Sequence, residues 1–134
     1  VTGSFAPTAY ALWAGVGRWR AGHAILYATP DYTFDRAHGV KSTPARFGIP
    51  QALRVARASH LLAWLAFLWA GVSYGAGPLY YLGLLLVGGL LLLEHRLVSP
   101  EDLSKVEVAF FQANVGVSLG MFLFIVLDLL ARGA

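Results

Sequence analysis

The longest apolar stretch lies between Arg57 and Glu94, where no Asp, Glu, Lys or Arg occurs and the one basic ring is His60. It far exceeds the roughly 20 residues that one membrane span needs. Gly75-Ala76-Gly77-Pro78 interrupts it, and Gly and Pro are the strongest local breakers of a helix. The pattern predicts two helices, over about 58–75 and 78–97, joined by a tight turn. Pro78 suits the first turn of the second, where its missing N–H goes unused. The first is short for a span unless Arg54 and Arg57 extend it and snorkel to the interface. A third apolar helix is expected over about 108–130, with Gly116 and Gly120 placed for close helix contact. The Gly88–Gly89 pair is placed for the same in the preceding helix. A fourth, over about 7–29, is interrupted by Arg18, Arg20 and His23. A charge at mid-bilayer costs about 3 kcal/mol, so these three face protein, face water, lie near an interface or report a shortened helix.

Composition agrees with this pattern. Of 134 residues, 57% are hydrophobic and 13% charged, and the mean hydropathy is +0.63. A soluble domain carries about 25% charged residues. The expected fold is therefore all-α, a polytopic transmembrane bundle of four spans forming a single membrane domain over 1–134. With no cysteine, disulfides and thiolate metal sites are excluded. The net charge of +3 does not point to nucleic acid, because the bases form no surface interleaved with aromatics. They follow membrane orientation instead. Segments 30–57 and 96–107 share one side and hold Arg36, Lys41, Arg46, Arg54, Arg57, Arg96 and Lys105. The opposite ends offer Arg132 alone, apart from the two arginines inside the first span. The positive-inside rule makes the 30–57 side cytoplasmic and puts the C-terminus across the inner (cell) membrane. The opening Val-Thr-Gly-Ser-Phe has no basic n-region and does not read as a signal peptide.

The segment 30–57 carries the chemistry. Asp31 and Asp35 are spaced i, i+4, so a helix through them would put both carboxylates on one face. Two hard oxygen donors suit Mg²⁺, which completes its shell with water and phosphate oxygens. Arg36 and Lys41 follow at once and are suited to a diphosphate. Capping and solvated pairing explain such a cluster too, and Pro30 disfavours a straight helix through the junction. Spacing leaves both readings open.

The longer string is more specific. Tyr27-Ala28, Asp31-x-x-x-Asp35, Gly39-x-Lys41-Ser42-Thr43 and Phe47-Gly48 resemble the second aspartate-rich motif of UbiA-type intramembrane prenyltransferases. The similarity is greatest to the 4-hydroxybenzoate polyprenyltransferases and their relatives in menaquinone synthesis. It continues through Leu92-Leu93-Glu94-His95 and Ala109-Phe110-Phe111-x-x-Asn114, covering almost the whole chain in order. The resemblance implies a fold of nine helices around a cavity, of which the four here correspond to helices six to nine. It implies a transferase that moves a polyprenyl group from its diphosphate to an aromatic acid for ubiquinone or menaquinone biosynthesis, with Mg²⁺ as cofactor. Asp31 and Asp35 would be the catalytic metal ligands. Arg36, Lys41 and Ser42 would bind diphosphate, and Tyr27 would border the cavity. Asn114 and Gln112 would reach either the cavity or a neighbouring helix.

Two departures bear on activity. The family's first aspartate-rich motif, Asn-Asp-x-x-Asp-x-x-x-Asp, does not occur in the chain, which is expected to be a C-terminal part lacking an N-terminal half and incomplete alone. Ala24 stands where the family usually has an acid, and Arg20 and His23 where it has apolar residues. The rival reading is a non-catalytic or degenerate helical scaffold. His23, His60 and His95 read as too scattered for a metal site, Glu94-His95-Arg96 as an interfacial anchor, and Asp128 as a group reaching the headgroups. The aromatics Trp64, Trp69, Tyr74, Tyr80 and Tyr81 read as interface belts.

Overall fold

A computed structural model describes residues 6–133. Four long helices carry the fold: α1 (Pro7–Tyr27), α4 (Ile49–Tyr74), α5 (Pro78–Leu97) and α6 (Val106–Ala131). Two short ones, α2 (Tyr32–Ala37) and α3 (Thr43–Phe47), lie between α1 and α4. No strand occurs among the described residues. Helices α4, α5 and α6 are each long and apolar enough to cross a membrane. The 21 residues of α1 span about 31 Å at 1.5 Å per residue, but Arg18 and Arg20 lower its apolarity. Both arginines are exposed on its outer face.

The long helices pack as two antiparallel pairs. In the α1/α4 pair, Gly15 meets the Phe67 ring and Gly22 meets the His60 ring. The Thr8 and Ser73 hydroxyls close the far end at 2.8 Å. In the α5/α6 pair, Gly83 faces Phe124, Gly116 faces Leu90 and Gly120 faces Leu86. Small residues thus let backbones approach closely, as helix association in lipid requires. The pairs are joined by Ala63, Phe67, Tyr80 and Leu84. The Trp64 indole N–H also donates across them to the Leu84 carbonyl at 2.9 Å. Large side chains such as Leu61, Leu85, Phe111, Leu119 and Phe122 remain exposed on the outside, the lipid-facing pattern.

The turn at Gly75 folds as expected for a break. Gly75 adopts φ +69°; its N–H reaches the Val72 carbonyl at 3.1 Å, and Ala76 N–H reaches that of Gly71 at 2.9 Å. Those two bonds satisfy the last carbonyls of α4. Helix α4 begins at Ile49 and so runs through Arg54 and Arg57, the extension that the short apolar stretch left open. One expectation is corrected. Asp128 is buried instead of reaching the headgroups. Its two oxygens accept from Gly77 N–H at 2.8 Å and Tyr80 N–H at 3.3 Å, capping α5 from a neighbouring helix.

Candidate functional site

The arrangement of the pairs brings one end of each long helix together. The C-terminal ends of α1 and α5 and the N-terminal ends of α4 and α6 lie at the head of the bundle, beside α2 and α3. Helix α1 stops at Tyr27 and does not run through the acids; Pro30 follows and a new helix starts. The one-turn spacing survives within α2, because Asp35 N–H donates to the Asp31 carbonyl at 2.8 Å. Gly39, at φ +68°, reverses the chain after α2. Val40 N–H then returns to the Asp35 carbonyl at 2.8 Å. Ser42 caps α3, its Oγ accepting from Ala45 N–H at 3.3 Å.

These turns enclose a cleft of about 520 Å³ lined by Asp35, Arg36, Gly39, Lys41, Ser42 and Arg46 among others. Asp35 is 8% exposed, and among the described residues no hydrogen bond or ion pair reaches its carboxylate. Arg36 is held by the Tyr32 hydroxyl, to which its Nη1 donates at 2.6 Å. Lys41 and Arg46 are exposed at the rim. The lining thus sets one unpaired carboxylate among three cations. Mg²⁺ characteristically takes one or two carboxylates and completes its shell from phosphate, so the donors fit it. Asp31 is exposed at the start of α2 and does not line the cleft. Tyr27 is exposed and lies against Phe110, ring centroids 5.0 Å apart. Asn114 is half-buried in α6, outside the cleft; Gln112 borders a small gap beside Glu94 between α5 and α6.

A second cluster lies within the helices. His23, His60 and Glu94 are all buried, and one potential ligand atom from each lies within 4.8 Å of the others. His23 Nε2 is 3.1 Å from Glu94 Oε1, and His60 Nδ1 is 3.3 Å from Glu94 Oε2. His60 Nδ1 is also 2.9 Å from His95 Nε2. The histidines are therefore not scattered, and Glu94 is an interior group rather than an anchor at the interface. A usable signal existed in the sequence: an ionisable residue inside an apolar span marks a functional candidate by default. Which of them meet depends on how α1, α4 and α5 are rotated against each other.

Comparison with known proteins is consistent across the chain. The UbiA prenyltransferase family profile matches residues 1–126. The chain is 33% identical over 121 residues to a 4-hydroxybenzoate octaprenyltransferase of Nitrosospira multiformis, covering 87% of this chain and 39% of that protein. It is 30% identical over 131 residues to that of Pseudomonas fluorescens Pf0-1, with 98% and 44% covered. For Shewanella halifaxensis the identity is 31% over 128 residues, with 96% and 43% covered. The chain thus spans less than half the length of these curated relatives. No solved structure matches it.

Proposed function

The chain belongs to the UbiA prenyltransferase family, and from that premise we propose that it forms the C-terminal part of a membrane prenyltransferase for quinone biosynthesis. The reaction would move a polyprenyl group from its diphosphate to an aromatic acid of the 4-hydroxybenzoate type. The relatives' names support the acceptor class. The observation that carries the reading is the cleft at the head of the bundle, where the unpaired Asp35 faces Arg36, Lys41, Ser42 and Arg46.

In this reading Asp35 would hold Mg²⁺ in the cleft, while Asp31, one turn before it, lies outside the lining. When bound, Mg²⁺ withdraws electron density from the diphosphate and stabilises its departure. Arg36 and Lys41 neutralise the charge that grows on the leaving oxygens, and the Ser42 hydroxyl supplies a further hydrogen bond. Arg46 joins them on the same wall. Tyr32 fixes the Arg36 guanidinium, so little reorganisation is needed as charge develops. The apolar helices below the cleft provide a water-poor path for the prenyl chain, which protects an electron-deficient allylic carbon from hydrolysis. The 30–57 segment would lie on the cytoplasmic side of the cell membrane, with the C-terminus on the other side.

The test is prenyl transfer in membranes expressing the native gene. Asp35→Asn should lower turnover by at least about a hundredfold, the scale of removing one preorganised electrostatic group. Chelation of divalent ions should abolish it, and added Mg²⁺ should restore it. Full turnover by Asp35→Asn, or turnover indifferent to chelation, would remove this assignment and favour a non-catalytic bundle.

A further inference from the structure

The buried His23–His60–Glu94 cluster plays no part in the diphosphate cleft, and its geometry is odd for a set of hydrogen bonds. His23 Nδ1 lies 3.1 Å from the Trp19 carbonyl. A carbonyl only accepts, so that nitrogen carries the proton, and in the neutral ring Nε2 presents its lone pair. That lone pair faces Glu94 Oε1 at 3.1 Å, so two acceptors meet in a buried place. A proton on Nε2 would make this contact an ion pair; a metal ion held between the two acceptors is the other way to satisfy them. Neither His23 Nε2 nor either Glu94 oxygen is aligned for a hydrogen bond with any described group.

We propose that His23, His60 and Glu94 bind a divalent transition-metal ion of the zinc class. The donor set is the first argument. Two imidazoles and one carboxylate select borderline ions such as Zn²⁺ over Mg²⁺, which prefers oxygen alone. Spacing is the second. Zinc–ligand bonds near 2.0 Å in a tetrahedron place adjacent donors about 3.3 Å apart. One donor atom from each of the three residues lies within 4.8 Å of the others, and His23 Nε2 and His60 Nδ1 stand 3.1 and 3.3 Å from the two Glu94 oxygens. The third is the outer shell. A ligating histidine typically donates its other ring N–H to a backbone carbonyl, which fixes the tautomer, and the Trp19 carbonyl does this for His23. There is also a way in. A groove between α4 and α5, of about 700 Å³, has His60 and His95 on its wall and Arg57 and Arg96 at its head.

Such an ion would act as a staple. It takes one ligand each from α1, α4 and α5, and so ties the α1/α4 pair to the α5/α6 pair. The inference is independent of prenyl transfer, and its test does not require turnover.

The native protein, purified in detergent and freed of metal, is titrated with Co²⁺ and then Zn²⁺. The expected results are the intense visible bands of four-coordinate Co²⁺, their displacement by about one zinc per chain, and a melting temperature raised by zinc. Glu94→Gln and His23→Phe should each weaken zinc binding by at least about a hundredfold, beyond the loss typical of outer-shell changes. Asp35→Asn should leave it unaltered, which separates this site from the cleft. Wild-type protein that gives no such bands overturns the proposal, even if a variant fails to fold. So does zinc retained equally by both variants, or zinc lost in Asp35→Asn.

Discussion

Asp128 shows how one side chain can be misplaced by its position in the sequence alone. Four residues before Arg132, at the end of an apolar helix, it reads as a group bound for the headgroups. The first N–H groups of any helix, however, lack partners within it. At the start of α5 those of Gly77 and Tyr80 find the Asp128 carboxylate. Asp128→Ala should therefore lower stability by about 1–2 kcal/mol, the usual scale for losing a helix N-cap. Thermal unfolding of the purified protein in detergent measures this, and an unchanged midpoint would mean that water caps α5 instead. Gly71 makes a related case. A Cβ there would fall 2.4 Å from Tyr80 Cε1 and displace the ring whose hydroxyl donates to the Phe67 carbonyl at 2.6 Å. Gly71→Ala should destabilise by about 1–3 kcal/mol through overpacking. The exposed Gly17, with nothing within 4 Å of an added Cβ, should tolerate the same change.

The elements between α1 and α4 depend on backbone conformations that their sequence only partly announces. Gly48 sits between α3 and α4 at φ +83° and ψ 159°, an essentially glycine-only region where an L side chain costs about 1–3 kcal/mol. Pro50 follows in the first turn of α4, where it is tolerated. Gly48→Ala should thus pull α3 away from the head of α4 and open the cleft. The expected signature is a several-fold rise in KM for the prenyl diphosphate in membrane assays, with a smaller change in kcat. An unaltered KM would show that α3 does not shape the anion site. The apolar helices and their breaks were legible because period and length suffice for a span, and Gly75 and Pro78 mark the turn directly. The first residue of α4 was not, because Arg54 and Arg57 could extend the helix but nothing in the apolar pattern places its start at Ile49. Nor was the separation of the two acids. Spacing gives one helical turn for Asp31 and Asp35, yet only the turn at Gly39 turns one of them inward and leaves the other at the surface.

At the scale of the molecule, helix pairing decides what the sequence cannot. His23, His60 and Glu94 meet because α1 is antiparallel to α4 and both lie against α5; no local spacing encodes that meeting. Antiparallel pairing also fixes which charges share an end. The α1–α4 connection and the 98–105 segment between α5 and α6 lie together at the head of the bundle, with Arg36, Lys41, Arg46, Arg57, Arg96 and Lys105 on or beside them. Arg132 lies at the opposite end, over the Tyr74 ring at 5.4 Å. A bundle this asymmetric should insert with its basic end in the cytoplasm. These 134 residues hold no cysteine, so single cysteines placed among them, with any elsewhere in the protein replaced by serine, report on sidedness. Glu101→Cys and Gly133→Cys occupy exposed positions at the two ends. In intact cells, a membrane-impermeant maleimide should label Gly133→Cys and reach Glu101→Cys only after lysis. The reverse pattern would invert the bundle and put the cleft at the opposite face of the membrane. Labelling of both from outside would mean that the α5/α6 pair does not cross as a hairpin.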